Sequence, residues 1–259
     1  MTKRGSGVLL HPTALANRYG IGDLGETALS LLDWLQSAGQ SVWQLLPLGP
    51  PGQGRSPYDA RSSYAGDVAL IDLQGLVDLE LLDAADVDPR LCPYSARIDY
   101  DTVRRFKIER LGHAWSRLQA NEAHRPLRER LEQWIRAPEQ AGWLADWSLY
   151  AALREAQGDR SWVDWPVQLR DRDSGAIDGA RTELADSVRF QEFVQFLFFE
   201  QLAKLRAAAR SRGVELLGDL PFYVALDSCD VWARRDLFDL DSSGAPLHVA
   251  GVPPDYFSA

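Results

Sequence analysis

The sequence predicts an α/β protein in which parallel strands are joined by helices and interrupted by an all-helical insertion. Three observations lead there. Short apolar runs bounded by Gly, Pro or charged residues recur at 7–10, 41–48 and 214–217, the form that buried strands take. A helical stripe stands directly before the second and the third of these runs, and strand–helix–strand with such short connections implies parallel pairing through a right-handed crossover. Between 76 and 187 no strand pattern occurs, while helical periodicity recurs several times.

Gly7, Val8, Leu9 and Leu10 form the first strand, broken by His11-Pro12. The helix expected over 26–38 places Ala28, Leu31, Leu32, Leu35 and Ala38 on one face, and Gly39 stands where a helix C-terminus needs a left-handed residue. Ser41 to Leu48 is the second strand, stopped by Pro47 and the loop GPPGQGRSPYDARSSYAGD. Helices are then expected over 102–119, 127–135 and 143–156, with Trp115, Trp134, Trp143, Trp147, Trp162 and Trp165 read as packing residues rather than ligand platforms. The α/β pattern resumes with a long helix over 188–211, carrying Phe190, Phe193, Val194, Leu197, Leu202 and Leu205, ended by Gly213 and followed by the third strand at 214–217. Asp227-Ser228 reads as a capping pair for a short helix, and 237–251 as a hairpin turned at Ser242-Ser243-Gly244. The implied division is 1–75, a helical insertion over 76–187, and 188–259.

Composition narrows the function. A formal charge of -9 with no offsetting Lys/Arg cluster argues against a nucleic-acid footprint. No window approaches the ~18 apolar residues of a membrane span, and Cys92 and Cys229 lie far apart without metal-ligand or CxxC spacing. The expectation is a cytoplasmic protein with no metal, no cofactor and a neutral small partner.

In parallel α/β folds ligands bind beyond the C-terminal ends of the strands. That rule selects the loops after the three strands. The second holds Ser56, Tyr58, Asp59, Ser62, Ser63 and Tyr64 among glycines that match no phosphate-binding pattern. Tyrosines with hydroxyl neighbours suit a sugar, whose ring offers an apolar face and a rim of hydroxyls. Asp255, Tyr256, Phe257 and Ser258 repeat that pairing on a stiff turn after Pro253-Pro254. For Tyr64 and Phe257 a role as hydrophobic plug is an equal alternative. Asp219 is the sharpest single carboxylate, because an acid at the end of an apolar strand costs solvation unless something pairs with it; a turn or cap role is the other reading. His11 could line the cleft, whereas His113, His124 and His248 show no triad or ligand spacing.

RGSGVLLHPTAL, YGIGDLG, SVWQLLPLGP, SPYDARSSYAGD, GVELLGDLPFYVALDSCDVW and VAGVPPDYFS, in that order, resemble the amylomaltases, the 4-α-glucanotransferases. The resemblance implies a partial (β/α)8 TIM barrel, comprising its first three strands with the helical insertion between the second and third. It implies retaining transfer on α-1,4-glucans and maltooligosaccharides, with an Asp nucleophile, a Glu acid/base and a sugar hydroxyl as acceptor. Ser56 and Tyr58 would lie beside the substrate, Asp219 and Tyr223 would line donor subsites, and Asp255, Tyr256, Phe257 and Ser258 would belong to a covering loop. Departures are Asn17-Arg18, where a Pro/Gly turn is usual, and Asp67, where Asn is common. The family's three catalytic carboxylates come from later strands, so none of the acids present is assigned a catalytic role, and the chain is expected to be a segment of a longer protein. A glucan-binding protein without catalysis is the alternative.

Overall fold

The computed structural model describes residues 5–92, 97–249 and 251. Three strands, β1 (Gly7–Leu9), β2 (Val42–Gln44) and β3 (Glu215–Leu217), form one sheet in the order β1-β2-β3, with both pairs parallel. Val8, Trp43 and Leu216 stand in register and face the main core. Their neighbours on the opposite face include Leu9 and Leu217, both exposed. The strands are shorter than the apolar runs predict; the ladder continues only through single bonds such as Leu10 N–H to Gln44 O and Leu45 N–H to Leu217 O.

Helix α1 (Glu26–Ser37) buries Ala28, Leu32 and Leu35 against the sheet, and α8 (Ala185–Ser211) buries Phe193, Val194, Leu197, Leu205 and Ala209 beside it. Both end as their glycines require, with Gly39 at φ +68° and Gly213 at φ +70°. Between them come α2 (Gln74–Asp78), α3 (Tyr100–Ala120), α4 (Arg125–Ile135), α5 (Leu144–Ala156), α6 (Val167–Arg170) and α7 (Ser174–Glu183). Helices α3 and α4 join the main core through Val103, Phe106, Leu111, Trp115, Leu127 and Leu131.

A second apolar cluster gathers Trp147 and Tyr150 of α5, Trp162, Trp165, Ile177 of α7, and Val231 and Trp232 of α9 (Cys229–Ala233). Trp134 and Trp143 are only partly buried. At α9 the expected capping pair is corrected. Ser228 alone caps, accepting from Val231 N–H, while the Asp227 carboxylate accepts from the Arg154 guanidinium at 2.8 Å. An arginine 73 residues away competes successfully for that acid because a buried guanidinium needs a counter-charge. The expected hairpin is reduced to one antiparallel bridge, Leu240 to Pro246, around a turn organised by Asp241. Among the described residues no helix is long and apolar enough to cross a membrane.

Candidate substrate-binding site

The loop between β2 and the 3₁₀ turn Val68–Leu70 builds its own scaffold. Pro51 and Ala60 pair as an antiparallel bridge, Arg61 N–H donates to Pro50 O, and Asp67 N–H donates to Leu48 O, closing the base. Residues 52–59 are thereby presented as a tip. Ser56 turns it: its Oγ accepts from Tyr58 N–H at 3.3 Å and its carbonyl from Asp59 N–H at 3.1 Å. The tip leans on α3, where the Arg55 guanidinium donates to Asp101 at 2.6 Å and covers the Tyr100 ring.

On its other side the tip meets the segment that leaves β3. Tyr58 O–H donates to Asp219 Oδ2 at 2.7 Å, across 161 residues. Asp219 Oδ1 accepts from Leu220 N–H. The bond to the carboxylate favours the phenol and pushes the Tyr58 pKa up. Asp219 is only partly buried and its bond to Tyr58 lies at the surface, so full desolvation at the end of an apolar strand is not what brings its partner; β3 ends at a half-exposed Leu217. Tyr223 stands four residues further on, exposed, with its ring edge-to-face against Phe222. Asp255, Tyr256, Phe257 and Ser258 lie outside the described residues.

The base of the loop is anchored by contacts between distant residues that no local spacing pairs. Arg61 donates both terminal nitrogens to Asp159, and its carbonyl accepts from Cys229 N–H. Ser63 N–H donates to Asp230, whose carboxyl pKa burial pushes up. Gly66 has both backbone groups taken by the Gln195 amide. The one local signal is the polar character of Gln195 inside an apolar helical stripe.

His11 lies beside this region as a brace rather than a reactive group. Its Nε2 faces Pro47 O at 3.3 Å and its Nδ1 faces Thr13 Oγ1 at 2.6 Å, and burial lowers its pKa. That pattern fits a neutral ring with the proton on Nε2. His248 pairs with Asp239, and His113 stands 3.7 Å from Asp86, both at the surface.

The site therefore offers a carboxylate with free lone pairs, a phenol pinned to it, a serine-turned tip, and exposed aromatic faces, all beyond the C-terminal ends of parallel strands. Residues 10–259 match the family described as 4-alpha-glucanotransferase. The chain belongs to that family. It is 41% identical over 98% of its length to the 4-alpha-glucanotransferase of Thermus thermophilus, covering 50% of that protein, and 40% identical over 99% of its length to the chloroplastic/amyloplastic enzyme of Solanum tuberosum, covering 44% of it. It thus spans about half the length of these relatives. Its fold is similar to that of the amylomaltase from Streptococcus agalactiae in complex with acarbose, at a TM-score of 0.91 and 31% identity over 99% of this chain and 51% of that one. Amylomaltase from Corynebacterium glutamicum, at 18% identity and a TM-score of 0.57 over 92% of this chain and 33% of that one, shares the fold.

Proposed function

We propose that this chain forms part of the substrate-facing rim of a cytoplasmic 4-α-glucanotransferase acting on maltooligosaccharides and α-1,4-glucans without metal or organic cofactor. In this reading β1, β2 and β3 are the first three strands of a (β/α)8 barrel, and 76–187 is a helical insertion between the second and third. Leu9 and Leu217 support it, because a parallel sheet is ordinarily covered on both faces and here apolar side chains on one face stay exposed.

The observation that carries the proposal is the Tyr58–Asp219 hydrogen bond, which joins two rim loops into one polar, ring-bearing surface. A carboxylate that has spent one oxygen on Tyr58 and one on Leu220 N–H retains lone pairs for sugar hydroxyls. The exposed rings of Tyr58 and Tyr223 offer faces for the apolar side of a pyranose. Acarbose, bound by the similar amylomaltase, is a maltooligosaccharide analogue. Ser56, Tyr58, Asp219 and Tyr223 are assigned to glucan binding, and Asp255, Tyr256, Phe257 and Ser258 to a segment that covers the bound chain. Transfer proceeds with retention: a carboxylate nucleophile forms a glucosyl-enzyme and an acid/base first protonates the leaving oxygen, then activates the acceptor hydroxyl. We assign both carboxylates, with a third acid, to a parent protein longer than these 259 residues.

Incubation with maltotriose tests this. The 259-residue chain should release no glucose and form no longer oligomers, while a parent of the relatives' length should do both. Disproportionation by the chain alone would overturn the carboxylate assignment, and a full-length parent that transfers no glucosyl units would sink the reaction itself.

A further inference from the structure

Tyr64 belongs to the same loop as Ser56 and Tyr58, yet its ring points elsewhere. It is 61% exposed and lies over Trp143, at the start of α5, with ring centroids 6.3 Å apart and planes 16° from parallel. The stack continues inward: Trp143 meets Trp134 and Phe199, and Trp134 meets Phe196. Trp143 is oriented by Nε1–H donating to Glu139 O. Within the described residues nothing covers Tyr64, as a plug would require.

The backbone that carries this ring is unusually constrained for an exposed loop. Ser63 N–H donates to Asp230, and Tyr64 N–H and Ala65 N–H both donate to Ser62 Oγ. Gln195 takes both the N–H and the C=O of Gly66. Gly66 itself admits no side chain, because a Cβ there would stand 2.1 Å from the Phe198 ring. A ring that leaves water only on its inner face gains little for folding. Fixing it on every side of its own residue lowers the ordering cost that a ligand would otherwise meet.

We infer that Tyr64 and Trp143 form a second glucan-binding platform, separate from the Tyr58–Asp219 pair, on which the apolar face of an α-glucan chain stacks. The inference rests on the reading of this protein as acting on α-glucans. Tyr64 presents an outer ring face and a phenolic rim with the exposed Ser63 beside it, the mixture of apolar surface and hydroxyls that a sugar ring matches. A strongly charged partner finds no complement in these groups.

Affinity electrophoresis of a full-length parent in gels containing soluble amylopectin tests it. Tyr64→Ala should raise the apparent dissociation constant about fivefold. Tyr64→Phe, which keeps the ring, should stay within about twofold of the parent, and circular dichroism should show both variants folded, since the side chain is exposed. If Tyr64→Ala migrates like the parent while Asp219→Asn loses retardation, the platform is refuted and the glucan reading stands. If amylopectin retards none of these proteins, the glucan reading fails and the platform fails with it. If Tyr64→Ala changes the sedimentation coefficient of the parent without changing amylopectin retardation, the surface is a self-association face and the inference is overturned.

Discussion

Lys107 and Asp23 meet with both side chains fully buried, whereas Tyr58 and Asp219 meet in solvent. Each junction joins distant parts of the chain, but they are built in opposite ways. The Lys107 ammonium, on α3, donates to Asp23 Oδ2 at 3.1 Å, Ala69 O at 2.6 Å and Ile71 O at 2.7 Å, which uses all three of its protons. Asp23 Oδ1 in turn accepts from Gly25 N–H. That cluster ties the loop after β1 to the end of the loop after β2, and its donors have nothing left for a ligand. The Tyr58–Asp219 pair makes one bond between side chains and leaves lone pairs and ring faces in water. A saturated, dry junction serves the architecture, and an open, wet one has binding capacity to give.

The largest effect on stability is expected at Lys107. Lys107→Met removes one partner of a buried pair and leaves the Asp23 carboxylate uncompensated, a change that costs about 3–5 kcal/mol. Urea denaturation of Lys107→Met should show a loss of that size, and adding Asp23→Leu should restore much of it, because a matched apolar replacement removes the stranded charge. A single-variant loss below about 1 kcal/mol would mean that the junction has no architectural role.

Asp67 sharpens the same contrast at smaller scale. It is buried, its Oδ1 accepts from Ala69 N–H at 3.0 Å, and burial pushes its pKa up against the weaker pull of that bond, Arg104 and Lys107. The raised pKa means that the folded state holds this proton to higher pH than the unfolded chain does. Its contribution is therefore full below the unfolded carboxylate pKa near ~3.9 and is lost as pH rises through the folded value. Asp67→Asn keeps the oxygen that accepts from Ala69 and cannot ionise. It should be close to neutral in acid and more stable than the parent by about 1 kcal/mol near pH 7. Chemical denaturation at several pH values reads the effect, and a variant less stable at neutral pH would show that the ionised acid has a partner worth more than its burial costs.

Lys107 also shows what was legible. It falls four residues after Val103 and four before Leu111 on the buried stripe of α3, so a lone lysine inside an apolar helical stripe was a readable signal of a buried cation. Its acceptors were not readable, because two are backbone carbonyls of a distant turn. The three parallel strands and α1, α3, α4, α5 and α8 were visible from the spacing of their apolar residues and from the Pro, Gly and charged residues that bound them. Helix α7 was missed: SGAIDGARTE carries two glycines and buries only Ile177 and Ala180. Asp227 was misassigned because Ser228 beside it satisfies the local capping rule, and the Arg154 that takes Asp227 is non-local. At the rim, Ser56, Tyr58 and Asp219 were selected by their position beyond strand ends. Of the loop anchors, Asp159 lay in no recognised motif, and Arg61 and Asp230 stood inside motifs without any spacing that points to their partners.

The smallest effect on folding, and the most discriminating for function, is expected at Tyr58. Tyr58→Phe deletes the hydroxyl that reaches Asp219 and keeps the ring, at a position 45% exposed and outside both apolar clusters. The thermal midpoint should be unchanged within error, as for most exposed substitutions. In a full-length parent, kcat/KM for maltoheptaose should fall about fivefold, the scale of one hydrogen bond removed from a binding surface. The phenol pKa is pushed up, so Tyr58 stays a protonated donor throughout the working range and its removal should add no limb to the pH profile. If the two side chains act as one unit, Asp219→Asn should cost a similar factor, and the double variant should cost less than the product of the two, because residues that touch are not additive. Independent, multiplying effects would show that each side chain meets the sugar separately. Unchanged kinetics in all three variants, with folding intact, would remove this pair from the binding surface.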